Sequence, residues 1–274
     1  MCSQDMKKAY KISSQAIREK MRKDSPLDEK YLNKVNRSDV VVVEGQYDRV
    51  QDVLDAMEIP HITVGSHDVE QVKLNPSQVV FVNCPGNLSR NGVTKIRQFV
   101  EEGGFLVTTD WALKHVIEPA FPGIMRYNQQ PTKDDVVRIE IQDGGHKFLE
   151  GLMSSDEDPQ WWLEGSSYPI EILDKEKVEV LITSKEMKEK YGEAPIAVTF
   201  EHGEGTVFHI VSHYYLQRSE LRTDRHKSPS SDYFAEKGVA ADVAMDEVPL
   251  GVAESAYTSA SFISKVIIEK KKKS

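Results

Sequence analysis

A strand, a tight turn, a helix, a glycine pair and a second strand follow one another in the first half of the chain, and this order most constrains the fold. The apolar run 78–83 leads into the turn Cys84-Pro85-Gly86-Asn87, and a helical pattern covers 89–102. Gly103-Gly104 then precedes the apolar run 105–109. Such an order is typical of one right-handed crossover in a parallel sheet. Ligands bind such sheets beyond the carboxyl ends of the strands, so the residues after each strand are the candidates for a site.

Further apolar segments extend this crossover into a doubly wound pattern. Residues 40–43 are four consecutive valines, as expected of a strand that is buried on both faces. A helical pattern over 47–57 and a short apolar run at 59–64 follow. In the second half, the runs 197–201 and 206–211 flank a turn sequence with two glycines, which predicts a β-hairpin. We therefore predict an α/β fold with a doubly wound and mostly parallel sheet, helices on both faces and an antiparallel hairpin at one edge.

The predicted organisation has three parts. Residues 1–37 form a helical extension that is interrupted at Ser25-Pro26, and residues 38–217 form the α/β domain. Residues 218–274 begin with a polar loop that extends to about 248 and end with a helix that packs on the same domain.

Composition excludes several classes of function. The formal net charge of −9 over 274 residues gives no electrostatic reason to bind nucleic acid or an anionic membrane. No apolar run approaches the roughly 20 residues that span a bilayer, and the first 23 residues lack the apolar core of a signal peptide. Two cysteines cannot form a disulfide framework. These features predict a soluble, cytoplasmic protein, and they do not set its oligomeric state.

Three segments resemble the class I glutamine amidotransferase-like superfamily, and most closely its ThuA-like, non-amidotransferase branches. They are the strand and turn 79–87, the helix, Gly-Gly and strand of 96–107, and the hairpin 203–213 that ends in His213. The resemblance implies a flavodoxin-like fold, with backbone amides of the 84–87 turn as an oxyanion site. True amidotransferases carry a cysteine, flanked by glycines, on a sharp turn after the strand that corresponds to 105–109. Here that turn is Thr109-Asp110-Trp111-Ala112, with neither a thiol nor a glycine, so glutamine hydrolysis is not expected.

Three side chains are candidates for catalysis. Cys84 is a nucleophile if a nearby base such as His213 stabilises its thiolate, or else a small buried apolar residue at a strand end. Asp110 acts as a general base or metal ligand, or it caps the helix that follows it. His213 ends the last strand of the hairpin, beside aromatic residues that either stack on a sugar or belong to the core.

The remaining candidates are ligand-binding residues next to the same strand ends. They are Glu44, Gly45, Gln46, Pro85, Gly86, Asn87 and Trp111. An ordinary strand-to-helix connection explains Glu44 to Gln46 equally well. The eight histidines form no His-x-His or His-Glu-x-x-His pair, so the sequence predicts no metal site, and it predicts no cofactor.

Two functions follow from these residues. The first is a binding or scaffold domain without catalysis, because the nucleophile cysteine is absent from its turn. The alternative is a hydrolase or isomerase of a small polar, carbohydrate-like metabolite, with Asp110 and His213 as the acid–base pair. The partner is accordingly a small polar metabolite or a protein. The alternative requires both side chains to face one open cavity.

Overall fold

The computed structural model describes residues 3–142, 146–149, 157–214, 220–239 and 248–273. The helices are α1 (Ser3–Asp24), α2 (Pro26–Asn33), α3 (Val50–Ala56), α4 (Arg90–Glu101), α5 (Glu118–Ala120), α6 (Lys185–Tyr191), α7 (Asp224–Lys227), α8 (Ser230–Glu236) and α9 (Leu250–Lys272). The strands are β1 (Val40–Val43), β2 (Ile62–Val64), β3 (Val79–Val82), β4 (Phe105–Thr109), β5 (Met125–Tyr127), β6 (Asp135–Arg138), β7 (Glu140–Ile141), β8 (Gln160–Leu163), β9 (Ile170–Ile172), β10 (Glu179–Thr183), β11 (Pro195–His202) and β12 (Gly205–Ile210). Within these residues no helix has both the length and the apolar content that crossing a membrane requires.

The main sheet has eight strands in the order β2-β1-β3-β4-β12-β11-β10-β7. The first five are parallel, and β11, β10 and β7 continue the sheet in antiparallel pairing. The parallel part has the 2-1-3-4-5 order of flavodoxin-like folds. The predicted fold class is therefore confirmed, and the predicted hairpin is the pair β11–β12. Two small antiparallel sheets, β5-β9 and β6-β8, are built from the segment between β4 and α6.

The central strands are apolar because both of their faces are covered. Every residue of β1, β3 and β4 is buried, as the uninterrupted apolar runs predict. Helix α4 starts where the Ser89 side chain accepts a hydrogen bond from the backbone N–H of Gly92 at 3.0 Å. It packs against β4 and β12. This crossover fixes the turns after β3 and β4, which carry two of the three catalytic candidates, Cys84 and Asp110.

The terminal helices pack together over the sheet. Every residue of α9 from Leu250 to Ile268 is buried except Lys265. The helix contacts β3 and is itself covered by α1, α2, α7 and α8. Pro26 occupies the first turn of α2, as predicted from the Ser25-Pro26 interruption. The predicted domain boundaries at 37/38 and 217/218 remain predictions.

The polar loop predicted for 218–248 is wrong for the part that the structure describes. Residues 220–239 contain α7 and α8, which the sequence pattern does not reveal because polar residues mask two buried aromatic side chains. Tyr233 and Phe234 are fully buried and contact Tyr257 of α9 edge-on, with ring centroids 5.7 and 6.3 Å away. Residues 215–219 and 240–247 lie outside the described residues.

Candidate functional site

The carboxyl ends of β3, β4 and β12 meet beside the loop that follows β1, and a cavity of about 200 Å³ opens there. The cavity is lined by Tyr47, Cys84, Asp110, Trp111, Glu164, Gly165, Ser166 and His213. From β1 the chain crosses to one neighbour, β2, and from β3 to the neighbour on the other side, β4. Ligands of open α/β sheets bind at such switch points. A larger cavity of about 320 Å³ lies between α1 and α9, away from the strand ends.

Asp110 occupies a sharp turn directly after β4. Its backbone has φ of +46°, a left-handed conformation that is uncommon for residues other than glycine. The turn is therefore sharp although it contains no glycine. The carboxylate is buried and accepts hydrogen bonds from the backbone N–H of Tyr168 at 2.8 Å and from the Ser167 hydroxyl at 3.0 Å. The carboxylate does not cap the following helix, so the capping alternative is wrong.

The charge state of Asp110 is set by competing effects. Burial raises the pKa of its carboxyl group to about 6, while the charge of His213 and the hydrogen bonds from Tyr168 and Ser167 act in the opposite direction. Asp110 is therefore largely ionised at pH 7, and its pKa lies close enough to neutrality for proton transfer.

His213 lies between two carboxylates. Its Nε2 is 3.4 Å from Asp110 Oδ2, and its Nδ1 forms a short contact with a carboxylate oxygen of Glu164. Burial by itself lowers the pKa of His213, but hydrogen bonds with Cys84 and Glu164 and the negative charges of Asp48 and Asp110 raise it to about 11. At neutral pH the ring is therefore an imidazolium ion that neutralises part of this acidic cluster.

Cys84 completes the cluster from the β3 side. Its side chain is buried, and its sulfur is hydrogen-bonded by the His213 ring and by the backbone N–H of Trp111. Burial nevertheless raises the pKa of the thiol to about 11, with the Asp110 charge adding to the effect. A nucleophilic cysteine requires a lowered pKa, so the structure does not support that role for Cys84.

The turn after Cys84 does not provide the expected oxyanion donors. The Cys84 N–H already donates to the Thr109 hydroxyl at 3.0 Å, and the Gly86 N–H donates to the Asn83 carbonyl oxygen at 2.9 Å. Pro85 has no N–H to offer. Pro85, Gly86 and the exposed Asn87 are not among the residues that line the cavity.

The loop after β1 supports Cys84 rather than a ligand. The backbone N–H groups of Gln46 and Tyr47 both donate to the Cys84 carbonyl oxygen, at 3.0 and 3.1 Å. A Cβ atom on Gly45 would lie 2.1 Å from that oxygen, so only glycine fits. Glu44 and Gln46 are exposed, and neither they nor Gly45 lines the cavity. The structural explanation of Glu44 to Gln46 is the correct one.

The aromatic wall of the cavity is only partly predictable. Trp111 is a predicted site residue, and its Nε1 donates to the Ser166 carbonyl oxygen at 2.7 Å. Its ring stacks on Tyr168 with centroids 5.4 Å apart and meets Tyr47 edge-on at 5.2 Å. The adjoining segment Glu164-Gly165-Ser166 is missed, because it follows β8 of a small sheet whose position the sequence pattern does not reveal. A turn signal, the glycine followed by serine, is the only indication in the sequence.

Backbone strain is concentrated around this cavity. Five residues other than glycine have a positive φ within the described ranges, and three of them are Asp110 at +46°, Ser166 at +75° and Ser212 at +66°. Ser212 precedes His213 and accepts a hydrogen bond from the backbone N–H of Glu164 at 3.0 Å. Such conformations cost about 1–3 kcal/mol each and cluster at functional sites.

The cluster also offers a donor set of the kind that holds a metal ion. Cys84, Asp110 and His213 each present one ligand atom, and these atoms all lie within 4.8 Å of one another. All three residues are buried.

No family model and no curated protein matches this chain. Among solved structures, it is similar to a protein named as a GMP synthase subunit from Thermoplasma acidophilum, with 9% identity over 66% of this chain and 86% of the other and a TM-score of 0.47. A ThuA-like protein from Bacteroides uniformis has 14% identity over 67% and 86%, with a TM-score of 0.45. A GH42 beta-galactosidase from G. stearothermophilus has 14% identity over 73% of this chain and 29% of its own length, with a TM-score of 0.44. Similarities at this level assign no activity to the chain.

Proposed function

We propose that this chain is a hydrolase or isomerase that acts on a small polar metabolite in the strand-end cavity. The observation that carries the proposal is the position of the Asp110 carboxylate and the His213 ring, 3.4 Å apart on the wall of one open cavity. A general acid and a general base must both reach the same substrate, and this geometry allows it. The volume of about 200 Å³ favours a substrate smaller than a typical drug molecule.

Asp110 and His213 take different catalytic roles because they carry opposite charges at pH 7. Asp110 is largely ionised at pH 7 and accepts a proton, whereas His213 is protonated and stabilises an oxygen that becomes negative. In the isomerisation of an α-hydroxy carbonyl compound, Asp110 takes the proton from the carbon that bears the hydroxyl group, and the electron pair moves onto the carbonyl oxygen, which takes a proton from His213. Asp110 then returns its proton to the former carbonyl carbon, while the original hydroxyl oxygen gives its proton back to His213 and becomes the new carbonyl oxygen. In the hydrolysis of an ester or amide, Asp110 takes a proton from water as the water oxygen attacks the carbonyl carbon, and His213 stabilises the oxygen that becomes negative. The carbonyl group then re-forms, the bond to the alcohol or amine breaks, and this leaving group takes the proton from Asp110. The Trp111 and Tyr47 rings provide an apolar wall for the substrate skeleton.

Solvent isotope incorporation tests this proposal although the substrate is unidentified. The purified protein is incubated with a pool of small polar metabolites in D₂O and, separately, in H₂¹⁸O, and mass spectrometry identifies compounds that gain label. An isomerase introduces deuterium at carbon, and a hydrolase introduces ¹⁸O. We expect at least one compound to gain label, and expect Asp110→Asn and His213→Asn to abolish the gain.

A matched control is the pair Asp55 and His61, whose side chains are 3.9 Å apart and do not line the strand-end cavity. The Asp55→Asn/His61→Asn variant should label the same compounds as the unmodified protein. Absence of label in every compound, or label that survives in folded Asp110→Asn and His213→Asn variants, contradicts the proposal.

Binding without catalysis is the second candidate. The observations that favour it are the absence of a low-pKa thiol at Cys84 and the engagement of the Cys84 and Gly86 amides in other hydrogen bonds. It predicts that a Cys84→Ser/Asp110→Asn variant folds and retains its ligand or protein partner. Loss of the partner by that variant while it remains folded contradicts this candidate.

A further inference from the structure

We propose that Cys84, Asp110 and His213 bind a divalent metal ion, and that the donor set selects Zn²⁺. The inference deepens the proposed function, on whose cavity it rests. The three residues follow β3, β4 and β12, so they reach one point from three different strands of the sheet. Because they are far apart in the chain, the local spacing rules for metal sites do not detect them, which explains why the sequence predicts none.

The donor atoms match a zinc site in type and in distance. A thiolate, an imidazole nitrogen and a carboxylate oxygen are the ligands that Zn²⁺ takes in proteins, whereas Mg²⁺ and Ca²⁺ prefer oxygen alone. Nitrogen and oxygen ligands at about 2.0–2.1 Å from a tetrahedral zinc ion lie about 3.3 Å from each other. His213 Nε2 and Asp110 Oδ2 are 3.4 Å apart, and the sulfur of Cys84 lies within 4.8 Å of the other two donors. A thiolate and a carboxylate also balance the two positive charges of the ion.

Surrounding groups hold these donors in place. Glu164 contacts Nδ1 of His213 and thereby directs Nε2 toward Cys84 and Asp110, as carboxylates do for zinc-binding histidines. The backbone N–H of Trp111 donates to the Cys84 sulfur, and the backbone N–H of Tyr168 holds one oxygen of Asp110 at 2.8 Å. These contacts hold the three donors close to one another in the absence of a metal ion.

All three donor residues line the cavity, so a fourth coordination position would be reached from it. Three protein ligands with one open position is the pattern of catalytic zinc sites, where water or a substrate oxygen completes the tetrahedron. A zinc ion held by Cys84, Asp110 and His213 would supply Lewis-acid chemistry at the substrate oxygen, where the proposed function uses the charge of His213, and Asp110 would then serve as a ligand instead of as the base. Without zinc, the positive charge of the cluster is that of the protonated His213 ring.

Metal binding by the 274-residue chain tests this inference directly. The protein is stripped with a chelator, dialysed against micromolar Zn²⁺ and analysed for bound zinc by mass spectrometry. We expect one zinc ion per chain. Cobalt(II) then serves as a spectroscopic probe, and the same protein should show a thiolate-to-cobalt charge-transfer band with the intense visible absorption of four-coordinate cobalt. This measurement needs no variant, so a folding defect cannot obscure it.

Variants assign the site to these residues. Cys84→Ser should remove the charge-transfer band, and Asp110→Asn and His213→Asn should each lower zinc affinity at least 100-fold. The Asp55→Asn/His61→Asn control should bind zinc like the unmodified protein. A chain that retains no zinc, a cobalt spectrum without the thiolate band, or binding that is unaffected in folded Cys84→Ser protein overturns the inference.

The two proposals fail in distinguishable ways. Stoichiometric zinc binding without label incorporation supports the metal site and contradicts the proposed activity. Label incorporation by protein that binds no zinc supports the acid–base activity and contradicts the metal site.

Discussion

Acidification should destabilise this protein through His209, a buried histidine on β12. Its side chain is fully buried, and only Nδ1 has a hydrogen-bonding partner in the described residues, the Thr108 hydroxyl at 2.8 Å. Burial lowers the pKa of His209 from 6.5 to about 3. Between these two values the unfolded chain binds a proton that the folded chain does not, so stability falls as the pH falls from about 6.5 toward 3.

The size of the effect follows from the pKa difference. Each pKa unit corresponds to about 1.4 kcal/mol, and pH 5 lies 1.5 units below the unfolded value of 6.5. His209 should therefore account for a loss of about 2 kcal/mol in the free energy of unfolding between pH 7 and pH 5. His209→Gln should avoid this loss, because glutamine stays neutral at both values and can still bond the Thr108 hydroxyl.

Urea denaturation at pH 7 and pH 5 measures the effect. The free energy of unfolding is measured at both pH values for the unmodified protein and for His209→Gln. The loss in the variant is then subtracted from the loss in the unmodified protein, because the contributions of all other titrating groups cancel in this difference. His67→Gln is a control, since the His67 side chain is not buried, and it should behave like the unmodified protein. If the unmodified protein and His209→Gln lose the same free energy within about 0.5 kcal/mol, the argument from burial is wrong.

Three further predictions concern the cavity. Asp110→Asn should raise the free energy of unfolding at pH 7 by about 1–3 kcal/mol and abolish the proposed activity. Burial raises the pKa of Asp110 to about 6, so its ionisation costs stability at neutral pH, and urea denaturation measures the difference. Gly45→Ala should destabilise the fold by at least about 2 kcal/mol in the same assay, because its Cβ would overlap the Cys84 carbonyl oxygen. Gly165→Ala is the control and should change stability little, because the nearest atom to its Cβ would be 3.8 Å away. Glu164→Gln should lower zinc affinity about 10- to 100-fold with unchanged stoichiometry, measured by competition with a chelator, because it weakens the group that orients the histidine ligand.

The fold is predictable because its signals are local and redundant. The valine run of β1 and the turn between β11 and β12 each predict one element, and sequential right-handed crossovers leave few ways to arrange the parallel strands. The two helices in 220–239 are missed because their burial depends on contacts with α9, farther along the chain.

The site is predictable in position and less so in composition. Residues that follow parallel strands converge, which places Cys84, Asp110, Trp111 and His213 on one cavity. Sequence position does not determine which way a side chain points, so the sequence also predicts Glu44 as a ligand-binding residue although it is exposed. The left-handed turn at Asp110 is missed for a different reason. It violates the local rule that such turns need glycine, and violations of local rules concentrate at functional sites.

The stability cost of this cavity is itself an argument for function. Asp110 combines a buried carboxylate with a left-handed backbone, and Ser166 and Ser212 add two more strained positions at the same place. Asparagine at 110 would keep the backbone hydrogen bond from Tyr168 without burying a charge, and it tolerates left-handed φ values as aspartate does. A scaffold that only needed to fold would therefore gain stability from that single exchange. If Asp110→Asn is more stable, binds no zinc and labels no substrate, the carboxylate serves the chemistry. If it is less stable, the carboxylate serves to hold the segment around Tyr168 in place.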